Sequence, residues 1–242
     1  MSYGQTYAND LFAIDAAASE RAAFLRRTYL HLFGAILAFM GLEAIIFNVL
    51  DVNRIFAGMA RGGSFGMIAI LIGFMAASWV ARSWASNAAS PAMQYLGLGL
   101  YTVAEAIFFV PILWIATQID RGGGNTIATA GIITLLTFGG LTTIVLASGA
   151  DFSFLRVGLM IGGWAALVIA IVAAFAGFSL GLLFSGAMVV LACGFILYDT
   201  SNVLHHYRTD QHVGAALELF ASVALLFWYV LRIVIAFSNN ND

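Results

Sequence analysis

Four carboxylic acids stand inside runs of apolar residues: Glu43, Glu105, Asp199 and Glu218. An acid in such a place either carries a proton and bonds a neighbouring helix, or serves a path for protons or cations. Asp199 has the richest setting, the stretch GFILYDTSNVLHHY. On a helix Asp199, Asn202 and His206 share one side, with Ser185 near it. A polar stripe on an otherwise apolar helix faces a bundle interior or water rather than lipid. The next segment, HVGAALELFASVALLFWYVLRIVIAF, carries Glu218, Ser222, Tyr229 and Arg232 within about 80° of one another. The two segments form a hairpin turning near Arg208 and Thr209. Asp199 and Glu218 are equally far from that turn, which predicts similar depth, with Ser222 about one turn deeper. Two acids at one level would share a proton or hold a cation between them. Asp199 and Glu218 are therefore the candidate transient metal ligands, and uneven winding of the connection would move this register by a turn.

Glu105 shares a face with Gln94, Tyr101 and Thr102 and precedes Pro111, which is expected to kink its helix and free a carbonyl near Ile107. Glu43 lies nearer the far end of the first apolar run, where it lines a mouth or reaches the interface. His205, His206 and His212 cluster at the hairpin connection, either as solvated loop residues or as a pH-responsive gate. With Asp199 and His31 they also raise a zinc-hydrolase reading. Against it, His205 and His206 are adjacent and point apart, so the spacing matches no metal signature.

The elements that must position these groups are membrane spans. The chain is 62% hydrophobic and only 9% charged, with a mean hydropathy of +0.96. A span needs about 20 apolar residues, and runs of that kind cover 29–50, 65–82, 92–117, 126–147, 155–175, 180–204 and 213–237. The expected architecture is an all-α membrane protein, a seven-transmembrane-helix bundle over 29–237. A cytoplasmic or interfacial segment (1–28) precedes it and a short tail (238–242) follows. The longest connection, 51–64, is too short for a soluble domain, and no internal repeat is evident. Leu11, Ile14 and Ala18 suggest a short interfacial helix. No signal peptide pattern opens the chain.

Arg21, Arg26, Arg27, Arg82, Arg156 and Arg208 fall on the N-terminal side, and Arg54, Arg61, Arg121 and Arg232 opposite. This bias predicts a cytoplasmic N-terminus. Lysine is absent, which removes retinal Schiff-base chemistry and lysine-dependent catalysis. The single Cys193 excludes an internal disulfide or a cysteine metal cage. Glycines spaced for close helix contact, among them Gly158 with Gly162, Gly177 with Gly181, and Gly139 with Gly140 beside Thr134, Thr137, Thr142 and Thr143, suit tight bundle packing.

Several stretches in order resemble the Bax inhibitor-1, or transmembrane Bax-inhibitor-motif, family. They are FLRRTYLHLFGAILAFMG, YTVAEAIFFVPIL, TLLTFGGLTTIVLASGADFSFLRVGLMIG, LFSGAMVVLACGFILYDTSNVLHHY, AALELF and YVLR. The resemblance covers nearly the whole chain. It implies a seven-helix bundle with the last helix near the centre, in a bacterial or organellar membrane, leaking calcium in a pH-sensitive way. It also implies two aspartates that close the path through a shared proton. One matches Asp199. At the other position this chain has Ser222, which carries no second charge, so Glu218 replaces it or Asp199 acts without an acidic partner.

The resulting expectation is a passive, pH-sensitive cation leak, for Ca²⁺ or protons, gated at Asp199 with a nearby acid. Glu218, Ser222, Glu105, Asn202, His206 and Arg232 line the route. The protein is expected to sit in the lipid bilayer of a bacterial inner membrane, without resident cofactor, enzymatic activity or nucleic-acid partner. The alternative is a non-transporting membrane regulator that works through membrane protein partners in stress or quality control.

Overall fold

A computed structural model describes residues 12–87, 89–120 and 123–238. The helices are α1 (Ala18–Val49), α2 (Val52–Arg61), α3 (Gly63–Ala85), α4 (Pro91–Asp120), α5 (Thr126–Ser148), α6 (Leu155–Ala176), α7 (Leu182–His205) and α8 (His212–Ser238). All but α2 hold a stretch long and apolar enough to cross a membrane. Because crossings alternate, α1, α4 and α8 begin on one face of the bundle, where α3, α5 and α7 end. That face is the entry face.

Local signals set the helix limits. Pro91 occupies the first position of α4, where its missing N–H costs nothing, and the helix then continues through Pro111. Asp120 Oδ1 accepts the Thr126 N–H at 2.9 Å, closing the short α4–α5 connection. Gly149 and Gly177 stop α5 and α6 in the left-handed conformation that glycine adopts without penalty (φ 62° and 73°).

Two segments differ from expectation. Helix α2 lies within the connection read as a loop. Asp51 starts it by accepting the Arg54 N–H at 3.2 Å. Phe56 then stacks on Trp114, whose indole N–H bonds Asn53 Oδ1 at 3.0 Å. The interfacial helix suggested by Leu11, Ile14 and Ala18 is not formed: Leu11 lies outside the described residues, and 13–16 make a turn. Ala13, wholly buried, donates to the Tyr207 carbonyl at 2.9 Å and so ties this turn to the α7–α8 loop. Helix α1 begins at Ala18, so the boundary expected at residue 28 falls inside it.

The last helix is the central one. α8 packs against α1, α3, α4, α5 and α7, and small and large apolar residues are buried on several of its sides, among them Ala215, Ala216, Leu217, Leu219 and Leu226. A helix apolar all round belongs in a core. The outer helices turn Leu30, Phe33, Ile132, Leu136, Trp164 and Val190 outward, as lipid contact requires.

Close approach occurs where the chain has no side chain to remove. A Cβ on Gly97 of α4 would lie 2.5 Å from the Ala81 carbonyl oxygen and the Ala85 nitrogen of α3. Gly162 of α6 receives Leu191 of α7, and Gly194 of α7 receives Leu159 in return. Gly158, Gly139, Gly140, Gly177 and Gly181 meet no neighbour within 4 Å, so of the spaced pairs only Gly162 marks a helix contact.

Candidate functional site

Asp199 points inward. It is 8% exposed, and its carboxylate accepts a hydrogen bond from the hydroxyl of Ser222 on α8, itself 4% exposed. Helix periodicity places the residue there: Ile196, Asp199, Thr200 and Val203 form the buried side of α7. Ser222 is likewise on the side of α8 that meets α7.

Glu218 has a different partner. Arg82, near the end of α3, donates to its carboxylate in a direct ion pair. This corrects the expected pairing of Asp199 with Glu218. Asp199 lies six residues before the end of α7 (205 − 199) and Ser222 ten after the start of α8 (222 − 212). The helices are thus staggered by about one turn, and the stagger brings Ser222, not Glu218, opposite Asp199.

Arg82 organises the rest. Its guanidinium carbon lies 5.6 Å from the centre of the Tyr101 ring, a cation–π distance. Its charge also acts on Glu105 and on Asp199. The Tyr101 hydroxyl faces Glu105, one turn along α4 and 4% exposed. One arginine therefore stands among three acids drawn from α4, α7 and α8. Sequence reasoning counted Arg82 only as a flanking charge. The signal available was its place inside the apolar run GFMAASWVARSWA.

A crevice of about 40 Å³ reaches the Arg82–Glu218 pair from the entry face, lined also by Ala85, Ser86, Tyr207 and Gln211. That volume holds one or a few waters. Tyr207 lies in the loop beside it, and burial pushes its phenol up to about 12. It stays a neutral donor through the physiological range. Its contribution to stability is complete below the unfolded phenol value near 10 and is lost as pH rises through about 12.

The remaining expected site residues are not gathered here. Asn202 is half-buried, and its carbonyl accepts the His206 N–H at 2.8 Å where α7 ends; His206 itself is exposed. Arg232, expected on the polar seam, donates to the Leu180 carbonyl at 2.9 Å and ties α8 to the α6–α7 connection near the far end. Ser185 bonds back toward the Gly181 carbonyl at 3.5 Å. His205 donates to the Ser201 carbonyl at 2.9 Å, while His212 meets His31 edge-on at 4.9 Å. Among the described residues no three His, Cys, Asp or Glu side chains converge as a metal site would require.

In the DFSFL connection, Ser201 of α7 accepts the Phe152 N–H at 2.8 Å and faces Asp151. The Ser153 backbone N–H holds the Asp151 carboxyl below the usual carboxylate range. These contacts fasten the loop to α7 at Ser201, two residues along the helix from Asp199.

The architecture and this interior charge cluster define a multi-pass, all-α membrane protein with its polar groups collected around a central last helix. Residues 21–240 match the family described as Inhibitor of apoptosis-promoting Bax1, and the chain belongs to that family. Bax inhibitor 1 of Schizosaccharomyces pombe is 28% identical over 151 residues, 62% of this chain and 54% of that protein. Protein lifeguard 4 of Mus musculus is 31% identical over 104 residues, 43% of this chain and 44% of that protein. These two matches thus span about half of each relative's length. Protein LIFEGUARD 1 of Arabidopsis thaliana is 25% identical over 234 residues, 93% of this chain and 94% of that protein.

Proposed function

We propose that the bundle is a passive, pH-responsive path for cations, Ca²⁺ above all, with its gate at Asp199. The observation that carries this reading is the cluster itself: Asp199, Glu105 and Glu218 around Arg82, in the interior of an apolar bundle. When ionised, three carboxylates against one guanidinium leave an excess of negative charge where hydrocarbon otherwise tolerates none. Arg82 is a tethered cation that occupies part of this field. A mobile cation entering from the crevice would compete with it, and Ca²⁺ finds the oxygen ligands it requires in the acids and Ser222.

The closed arrangement has two fastenings, Ser222 to Asp199 between α8 and α7, and Arg82 to Glu218 between α3 and α8. Protonating the acids removes the charge that attracts a cation, so conduction should fall as pH falls and rise as it rises. No resident cofactor enters this scheme, and no catalytic step is assigned. A bacterial inner membrane remains the proposed setting, and the arginine bias supports an N-terminus in the cytoplasm.

A second reading has one observation in its favour. Relatives carry names that refer to cell survival rather than transport, such as "Golgi anti-apoptotic protein" of vaccinia virus. On that reading the chain acts through membrane protein partners.

Reconstitution separates the two. Purified protein in liposomes should admit Ca²⁺ faster than empty vesicles, with a rate that rises with pH. Ser222→Asp should sharpen that dependence, because a second carboxyl against Asp199 can bind only by sharing a proton. Flux equal to that of empty vesicles, together with co-purification of one membrane partner, would favour the second reading.

A further inference from the structure

Among the described residues Glu43 is the one buried acid that this scheme does not use. It is 8% exposed, and neither carboxyl oxygen has a hydrogen-bond partner among the described residues. Its place follows from its neighbours along α1. One turn earlier, Phe39 packs against Phe109 of α4 at 5.2 Å and Phe220 of α8 at 6.2 Å. One turn later, Phe47 packs on the apolar cluster that includes Ile112, Leu113 and Leu226. Glu43 therefore faces α4 and α8 on the far side of an aromatic layer, and the Asp199 cluster lies toward the entry face.

Among the described residues no charged group relieves it. On α4, Glu105 lies toward the entry side with Tyr101 and Arg82, and Asp120 is occupied at the far end by the Thr126 N–H. On α8, Tyr229 packs on Phe184 and Arg232 bonds the Leu180 carbonyl. On α1 itself no further ionisable side chain follows before the helix ends at Val49. Two carboxyl oxygens without a donor, in apolar surroundings, ask for a proton or for water. A single acid supplies far fewer oxygens than the six to eight a Ca²⁺ ion takes, so the occupant that fits is a proton.

We propose that Glu43 is a proton-binding site in the far half of the bundle, whose protonated form seals that half and whose ionised form admits water to it. The seal is the aromatic layer plus a neutral Glu43. Loss of the proton leaves a charge that the closed packing cannot accommodate, and the segment around it must open to solvent. The path would then respond to pH from both faces, through Asp199 on one and Glu43 on the other. The inference about conduction rests on the proposed function; the proton site itself does not.

Infrared spectroscopy of the reconstituted protein reads the site directly. Wild type at neutral pH should show a protonated-carboxyl band that is missing from Glu43→Gln. If the two spectra carry the same carboxyl bands, the proposal is overturned whether or not the protein conducts. Vesicles with separately buffered faces read the role. In wild type, raising pH on the far face should increase Ca²⁺ flux several-fold. Glu43→Gln should lose that response and keep the response to entry-face pH. A variant that keeps the far-face response would overturn the gating role, whereas no flux in wild type would count against the proposed function alone.

Discussion

Arg82→Gln is expected to raise Ca²⁺ flux several-fold at neutral pH while lowering thermal stability. The two effects share a cause. Removing the guanidinium leaves Glu218, Glu105 and Asp199 without the one cation among the described residues that acts on all three. A free cation then has no tethered competitor. Losing one partner of a fully buried pair costs about 3–5 kcal/mol and of a surface pair under about 1. The Arg82 and Glu218 side chains are 40% and 26% exposed, between these limits, so a loss of about 2 kcal/mol is expected. Adding Glu218→Gln removes the stranded charge and should recover part of the stability. Differential scanning fluorimetry in detergent, beside liposome flux, checks both. Flux at or below wild type in Arg82→Gln would show that the arginine does not occupy the path.

Gly97→Ala is expected to be among the most damaging single-methyl changes in the protein. The new Cβ would meet backbone, not a movable side chain, at 2.5 Å on both the Ala81 oxygen and the Ala85 nitrogen. The α3 and α4 axes would have to separate just where α3 carries Arg82. Overpacking of this kind costs about 1–3 kcal/mol and sometimes more. The neighbouring Gly99 gives the control, since its Cβ would meet nothing within 4 Å. Gly99→Ala should be neutral or slightly stabilising, because alanine is the better helix former. Melting temperatures of the two variants measure the contrast. The separation should also loosen the Arg82–Glu218 pair, so Gly97→Ala is expected to alter flux where Gly99→Ala does not.

The seven spans were legible because hydrocarbon imposes a length and a composition that few other structures share. The central place of α8 followed from the family resemblance and is seen in its burial on several sides. Helix α2 was missed because ten residues between two spans, in VNRIFAGMAR, read as a connection when length is the criterion. Its start depends on a single Asp51 cap and its docking on Phe56 and Trp114, a contact between residues far apart in sequence.

Asp199 was legible as an inward acid, and so was its polar neighbour on α8 to within one turn. The stagger of α7 against α8 was not, because the loop between them is tied by Ala13 and Tyr207, which helix counting does not weigh. Arg82 was hidden by its place in the last turn of α3, where an arginine ordinarily marks a membrane boundary. Only the packing of α3 on α4 and α8 shows that its side chain turns inward to Glu218. Arg232 misled for the opposite reason. It shares a helix face with Ser222, but lies far enough along α8 to serve the α6–α7 connection instead.

The most direct measurement is Ca²⁺ entry into liposomes, followed across pH, for wild type and Asp199→Asn. The amide keeps the shape and a hydrogen bond to Ser222 but cannot ionise. Wild-type flux should climb with pH, and the variant should conduct several-fold less with a flat profile. An Asp199→Asn protein with the wild-type rate and the wild-type profile would mean that cations do not pass this carboxylate, and that the buried cluster serves only to hold helices together.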